Sequence, residues 1–234
     1  MNASERERRT RDLADAAALA DACRKCAIGA QRQRNVYGEG DPYAALMVIG
    51  EGPGETEDRL GRPFVGRAGA LLDKMLAAID LAREDVYICN VVKCRPTLGT
   101  PGGLRNRPPD PQEIANCRPF LDRQIDLIRP SVILALGAPA AKSFLGAGFQ
   151  ITKMRGRWYE GPAGTPLMVT FHPAYILRQT GGEIDAVKRL VWNDLKQVRA
   201  KLDEAPAEPM PEQANLFEKN ATSESGNGPS PTSS

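Results

Sequence analysis

Four short apolar runs, separated by stretches of helical periodicity, constrain the fold of this chain more than any other feature. The runs are rich in valine, isoleucine and leucine, as strands buried on both faces are. They occupy residues 44–49, 86–92, 131–137 and 167–171. Strands that alternate with helices form right-handed βαβ units. The sequence therefore predicts an α/β fold whose mostly parallel sheet is covered by helices on both faces.

The composition divides the chain into three parts. Residues 1–22 are charged and then alanine-rich, which predicts a helical lead-in. Residues 23–204 contain all four predicted strands and are expected to form one domain. From Ala205 onward, proline, glutamate, serine, asparagine and glycine dominate, a composition that cannot bury enough apolar surface to fold. Residues 205–234 are therefore predicted to be a disordered acidic tail.

The cellular compartment follows from the same composition. The chain has no apolar stretch long enough to span a bilayer, and its charged N-terminus has no apolar region that would make it a signal peptide. We therefore expect a cytoplasmic protein, in which five cysteines do not form a disulfide framework. The net charge of +2 includes the acidic tail, so the rest of the chain is mildly basic. That charge is compatible with nucleic-acid binding without identifying it.

A loop rich in glycine and proline connects the first strand to the first long helix, in the stretch from Ile49 to Leu72. It carries carboxylates, among them Glu51 and Glu57, and a single aromatic side chain, Phe64. Because ligands of open α/β sheets bind beyond the carboxyl ends of the strands, this stretch is a candidate active-site loop with an exposed ring. The alternative is an acidic surface loop.

Two cysteines form a C-x2-C pair, Cys23 and Cys26, which is half of a metal site. Cys94 lies at the end of the second strand and Cys117 on a later helix, and these two complete a possible set of four. Cys89 lies inside a strand and is interpreted as a core thiol. Four thiolates suit either zinc or an iron–sulfur cluster, and the spacing does not separate the two. The alternative is a lone pair with unrelated core cysteines.

His172 is the only histidine, and it directly follows the fourth strand. Asn90 lies at the end of the second strand and Glu51 just after the first, so these three side chains should meet at one edge of the sheet. A single histidine is more often structural, but this position favours a role in a site. Arg178, six residues later, either binds a phosphate or is simply solvated.

Three motifs together resemble those of the family 4 uracil-DNA glycosylases, the iron–sulfur type. They are G-E-G-P-G-E-x-E-D-x-x-G-x-P-F-V-G-x-A-G, then N-V-V-K-C-R-P, and then H-P-A-Y-I-L-R after a fourth cysteine. The similarity extends from Cys23 to about Leu202. The chain departs from the family between Cys94 and Cys117, where the segment is longer than usual.

The resemblance implies a three-layer α/β/α sandwich with a four-stranded central sheet. It also implies a [4Fe–4S] cluster rather than zinc. The cluster ligands, carried over from matching motif positions, are Cys23, Cys26, Cys94 and Cys117. The implied uracil pocket consists of Glu51, Glu57, Phe64, Asn90 and His172.

The implied activity is hydrolysis of the N-glycosidic bond of uracil in DNA, which leaves an abasic site and initiates base excision repair. The flipped base would stack on Phe64, and the amide of Asn90 would match uracil O4 and N3–H. By resemblance, Glu57 closes the pocket where thymine carries its methyl group. His172 would stabilise negative charge at uracil O2, and Glu51 would stabilise the sugar cation or orient water. No nucleophilic lysine is needed, so the enzyme should be monofunctional.

The extended basic–aromatic segment at 155–159 and the stretch after His172 are expected to contact DNA, with Arg155 and Arg178 on phosphates. We expect a monomer that acts on single- or double-stranded DNA at the nucleoid of a bacterial cell. One alternative is a relative that becomes crosslinked to the abasic product through a histidine between Cys94 and Cys117. The other is a non-catalytic iron–sulfur module that binds DNA.

Overall fold

The structure is a computed structural model, and it describes residues 3–99 and 103–204. Helices and strands alternate along these ranges. The helices are α1 (Ala3–Ala22), α2 (Ala27–Gln31), α3 (Glu55–Leu60), α4 (Arg67–Ala77), α5 (Pro111–Ile128), α6 (Ala138–Leu145), α7 (Ile151–Met154), α8 (Pro173–Ile176) and α9 (Gly182–Glu204). The strands are β1 (Gly38–Gly40), β2 (Leu46–Gly50), β3 (Tyr87–Asn90), β4 (Thr97–Leu98), β5 (Arg105–Asn106), β6 (Val132–Leu136), β7 (Trp158–Glu160) and β8 (Pro166–Thr170). Two 3-10 helices cover Arg83–Asp85 and Pro162–Gly164.

The central sheet has six strands in the order β1-β3-β2-β6-β8-β7. The four predicted strands, β3, β2, β6 and β8, are parallel neighbours at its centre. β1 and β7 add an antiparallel strand at each edge. The predicted α/β class with a mostly parallel sheet is confirmed, but the expected count of four strands is wrong. The edge strands β1 (Gly-Glu-Gly) and β7 (Trp-Tyr-Glu) lack the apolar run from which the central strands are predicted.

Helices cover both faces of this sheet, and alternate side chains of the central strands point to opposite faces. Met47 and Ile49 belong to a buried cluster that includes residues of α1, α5 and α6. Leu46 and Val48 belong to a second cluster that includes residues of α4, α8 and α9. These four side chains are at most 1% exposed. The architecture is therefore the three-layer α/β/α sandwich that the resemblance implied.

The parallel arrangement brings the carboxyl ends of the central strands to one edge of the sheet. Gly50 at the end of β2 is in register with Asn90 at the end of β3. Leu136 and Thr170, which end β6 and β8, are likewise in register. The segments that follow all four strands must therefore meet at this edge, which is where ligands bind in open α/β sheets.

Helix α1 packs Leu13, Ala16 and Ala20 into the same buried cluster as residues of α5. The predicted helical lead-in thus shares a core with the rest of the fold, and the division of the chain at residue 22 stays a prediction. The predicted disordered tail, 205–234, lies outside the described residues. Within the described ranges, every helix is too short or too polar to cross a membrane.

Candidate active site

A cavity of about 510 Å³ opens at the carboxyl ends of the parallel strands. This volume lies within the range of small-molecule sites in proteins. The wall includes residues that follow each of the central strands, together with parts of α4 and α7. All five side chains predicted for a base pocket line it, namely Glu51, Glu57, Phe64, Asn90 and His172.

Gly50 allows the Asn90 amide and the Phe64 ring to meet at the end of β2. A Cβ atom added to Gly50 would lie 2.5 Å from Asn90 Oδ1 and 2.5 Å from Phe64 Cζ, closer than Cβ atoms approach other atoms. Asn90 is 2% exposed. Its side-chain amide has no hydrogen-bond partner in the described part of the chain. An amide in this state can both donate to and accept from a ligand in the cavity.

Phe64 is a buried side chain, 5% exposed, and not the exposed ring expected from the sequence. Its ring stacks on the imidazole of His172, with centroids 5.5 Å apart and planes at 27°. Phe64 and His172 are far apart in sequence, so no local pattern could reveal this contact. The backbone of Phe64 has φ +51°, a left-handed conformation that bulky residues rarely adopt.

His172 is held in one orientation as the N-cap of α8. Its Nδ1 atom accepts a hydrogen bond from the backbone N–H of Ala174 at 3.0 Å. The neutral ring therefore carries its proton on Nε2, which is left as a donor. Burial lowers the pKa of His172 from 6.5 to about 4, an effect that Arg178 strengthens and Glu57 opposes. The imidazole is accordingly a neutral hydrogen-bond donor at pH 7.

Glu51 directly follows β2 and lines the cavity. Burial raises the pKa of its carboxyl group above the ordinary value. Within the described ranges the carboxylate has no hydrogen bond or ion pair. A partly desolvated carboxylate without a partner is available to a cationic centre or to a water molecule in the cavity.

Glu57 lines the same cavity, but one of its oxygens is bound to the protein backbone. Its Oε1 atom accepts hydrogen bonds from Val65 N at 3.0 Å and from Gly66 N at 2.9 Å. This carboxylate therefore fixes the loop just after Phe64. A role next to the methyl position of a thymine ring stays a prediction.

The two arginines expected to contact DNA lie in different environments. Arg178 is exposed at the cavity wall. Arg155 instead forms an ion pair with the buried carboxylate of Asp194, to which its Nε donates at 2.8 Å, and it donates to Leu190 O at 2.9 Å. Its side chain is 11% exposed. A phosphate contact by Arg155 stays a prediction, and it would have to compete with Asp194.

Contacts of neighbouring residues link the three segments that carry the four cysteines proposed as ligands. Arg32 Nη1 donates to Cys94 Sγ at 3.3 Å and to Cys23 O at 2.9 Å. Asn116, the neighbour of Cys117, donates to Lys25 O at 3.2 Å, inside the C-x2-C pair. The C-x2-C turn is thereby joined to both the end of β3 and helix α5.

Electrostatic coupling among the thiols agrees with this arrangement. Burial raises the pKa of Cys94 to about 11; Arg32 opposes the rise, and Cys117 and Cys26 add to it. Within the described ranges, however, no three His, Cys, Asp or Glu side chains are grouped closely enough to hold a single metal ion. Cys89 is fully buried, and Lys93 partly opposes the rise in its pKa that burial causes.

Sequence reasoning assigned no role to Gly50, Arg32 or Arg83. Gly50 could have been recognised, because a glycine at a strand end often marks the close approach of another group. The contact of Arg32 with the cysteines could be predicted only weakly, from the position of a basic residue near a cysteine pair. Arg83 donates to the backbone carbonyl of Phe64 at 3.1 Å. No sequence pattern predicts such a contact, because every residue has a backbone carbonyl.

The fold and the site define an α/β protein with an aromatic ring, an unpaired amide and a neutral imidazole in one cavity at the carboxyl ends of its parallel strands. The chain belongs to the uracil DNA glycosylase superfamily, whose family model matches residues 37–196. Within that superfamily its curated relatives include type-4 uracil-DNA glycosylases, in agreement with the resemblance seen in the motifs.

Three of these type-4 relatives cover most of the chain. The protein from Thermotoga maritima is 45% identical over 76% of this chain and 88% of its own length. The protein from Sulfurisphaera tokodaii is 42% identical over 76% of this chain and 79% of its own. The protein from Saccharolobus solfataricus is 39% identical over 79% of this chain and 83% of its own.

Proposed function

We propose that this protein is a monofunctional uracil-DNA glycosylase of type 4, which removes uracil from DNA by hydrolysis and initiates base excision repair. The observation that carries the proposal is the convergence of three groups at one cavity. They are the unpaired amide of Asn90, the ring of Phe64 and the neutral imidazole of His172. The type-4 relatives support the same activity.

Selection of uracil rests on Asn90. Its amide N–H matches uracil O4 and its carbonyl matches uracil N3–H, whereas cytosine presents the opposite pattern at these positions. Binding cytosine would leave a buried amide unpaired, which costs more than a weak hydrogen bond would gain. The buried side chain, 2% exposed and free of protein partners in the described ranges, supports this role. Phe64 supplies the face on which the flipped base stacks.

Bond cleavage requires charge to be stabilised on both sides of the N-glycosidic bond. The bond between N1 and C1′ breaks with its electron pair moving to uracil, largely to O2. The Nε2–H of His172 donates to that oxygen, and this donor needs no proton transfer because the ring stays neutral.

Glu51 acts on the sugar side. Its carboxylate, without a protein partner in the described ranges, stabilises the cationic sugar or orients the water that adds to C1′. The water loses a proton and uracil gains one, so free uracil and an abasic site result. Lysine is absent from the described residues that line the cavity, which supports attack by water over a covalent amine intermediate.

We further propose that Cys23, Cys26, Cys94 and Cys117 hold a [4Fe–4S] cluster. Four cysteine thiols are the donor set of such clusters, and the contacts of Arg32 and Asn116, which link the segments that carry these cysteines, support the assignment. The resemblance of the motifs to the iron–sulfur type of the family supports a cluster over zinc. The cluster's contribution would be structural, since it would order the segment between Cys94 and Cys117 beside the DNA.

DNA binding would use Arg178 at the cavity wall, and the protein is proposed to act as a monomer in the cytoplasm of a bacterial cell, at the nucleoid. The crosslinking alternative requires a histidine between Cys94 and Cys117. His172, the only histidine of the chain, caps α8 instead. No observation favours that alternative, nor the non-catalytic DNA-binding module.

The test is release of uracil from an oligonucleotide that contains one uracil, followed by alkaline cleavage of abasic sites. Wild-type protein should cleave the strand, while Phe64→Ala and His172→Ala should be strongly impaired. Trp192→Ala is the control, because this half-exposed side chain lies on α9 and does not line the cavity. Absence of cleavage by wild-type protein would refute the proposal, and a denaturant-resistant adduct with DNA would favour the crosslinking alternative.

A further inference from the structure

The backbone of Phe64 is held in an unfavourable conformation. Phe64 has φ +51°, where a bulky L-residue is strained, and such residues persist only when their surroundings hold them. Helix α4 lies against this segment so closely that a Cβ added to Gly69 would fall 1.7 Å from Phe64 O. The direction of the Phe64 ring therefore depends on whatever fixes residues 63–66.

Arg83 binds the carbonyl side of this segment. Its guanidinium donates to Phe64 O at 3.1 Å and to Pro63 O. The same group donates to Glu39 at 2.8 Å and to Asp73 at 3.0 Å, so β1 and α4 both orient it. The side chain is 18% exposed. A planar guanidinium suits this task because it directs several donors at fixed angles.

Glu57 binds the amide side of the same segment, through the N–H groups of Val65 and Gly66. Four consecutive residues, 63–66, are thus fixed by one cation and one anion. The carbonyls of Pro63 and Phe64 accept from Arg83, and the N–H groups of Val65 and Gly66 donate to Glu57. Neither charged group needs to contact the base to decide where the ring of Phe64 lies.

We propose that Arg83 is a positioning residue that holds Phe64 in its left-handed conformation, so that the stacking face for uracil exists before the base enters. This inference rests on the proposed function, because it takes Phe64 to be the stacking platform. It assigns a role in base recognition to a side chain outside the described cavity lining.

A double-mutant cycle tests this role. Arg83→Met should lower kcat/KM for a uracil-containing oligonucleotide by about tenfold, and it should raise the inhibition constant of free uracil by a similar factor. In a Phe64→Ala background the same substitution should have no further effect, because Arg83 acts through the Phe64 ring. Affinity for DNA with an abasic site should stay unchanged in all variants, since no base stacks there.

Arg62→Met is the matched control. Arg62 binds the same acceptor, Glu39, at 2.6 Å, but within the described residues it makes no hydrogen bond to residues 63–66. Its side chain is 60% exposed. This variant should leave kcat/KM and uracil inhibition within twofold of wild type.

Arg83→Lys keeps the positive charge but lacks the planar guanidinium with its several donors. Its activity should therefore lie between those of Arg83→Met and wild type. If Arg83→Met does not fold, as judged by circular dichroism, Arg83→Lys replaces it in the cycle. Suppose that the wild-type enzyme releases uracil but the losses of kcat/KM from the Arg83 and Phe64 substitutions are additive. That result would overturn this inference and leave the proposed function standing. A wild-type protein that releases no uracil would overturn the proposed function instead.

Discussion

The substitution Gly50→Ala should damage the pocket while sparing the fold. The added Cβ would lie 2.5 Å from Asn90 Oδ1, 2.5 Å from Phe64 Cζ and 2.8 Å from Phe64 Cε2. Ordinary van der Waals contact begins at 3.4 Å, so the two side chains must move by roughly 1 Å. All three atoms are at or near the ends of their side chains. Rotation can therefore relieve the overlap without moving the sheet.

The expected magnitude follows from that displacement. A misplacement of roughly 1 Å in a site that depends on orientation costs on the order of 100-fold in rate. The stability cost should be small, about 1 kcal/mol, at the lower end of the range for overpacking, because movable side-chain ends absorb it. Gly50→Ala should thus lose much of its catalytic rate but little of its stability.

The assay is single-turnover release of uracil, compared with the midpoint of urea unfolding. Gly148→Ala is the control, because a Cβ added there meets nothing within 4 Å. Gly50→Ala should lose about 100-fold in rate. A rate within threefold of the Gly148→Ala control would refute the idea that the amide and the ring meet above Gly50 to form the pocket.

Three further predictions concern protonation, an ion pair and the cysteines. His172 titrates near 4 when folded and 6.5 when unfolded, so its neutral form stabilises the fold fully above pH 6.5. The free energy of unfolding should fall by up to roughly 3 kcal/mol as the pH falls toward 4. In His172→Gln, the free energy measured by urea unfolding should depend less on pH than in wild type. Arg155→Met should lower the free energy of unfolding by about 3–5 kcal/mol, because it leaves the carboxylate of Asp194, which is 0% exposed, without its cation; unchanged stability with weaker DNA binding would contradict this. Cys117→Ser should lose bound iron and visible absorption, whereas Cys89→Ala should keep both, and equal iron content in the two variants would refute the ligand assignment.

The sequence was sufficient to predict the central architecture. Alternating apolar runs and helical stripes determine the parallel strands, because burial on both faces demands uninterrupted apolar side chains, as in β2 and β6. Strand order along the chain then places Glu51, Asn90 and His172 at one edge of the sheet. The edge strand β1 was not predicted, since three residues leave no periodicity to detect, whereas β7 overlaps the extended segment predicted at 155–159.

The sequence could not predict how the pocket is held. The stacking of Phe64 on His172 joins residues that only the folded sheet brings together. The pairing of Arg155 with Asp194 is a tertiary contact of the same kind, and it gives a structural partner to a residue predicted to contact DNA. Contacts to backbone atoms, such as those of Arg83, have no sequence signature because every residue offers the same acceptor.

The two edge strands have a consequence for behaviour at high concentration. An unprotected edge of a sheet presents unpaired peptide groups to which another chain can add a strand. Here each edge strand has only three residues. β1 contains two glycines and a glutamate that is tied to Arg62 and Arg83, and β7 is followed by Gly161 and Pro162. Short, charged or proline-flanked edges are poor templates, so the sheet should resist edge-to-edge aggregation in a crowded solution.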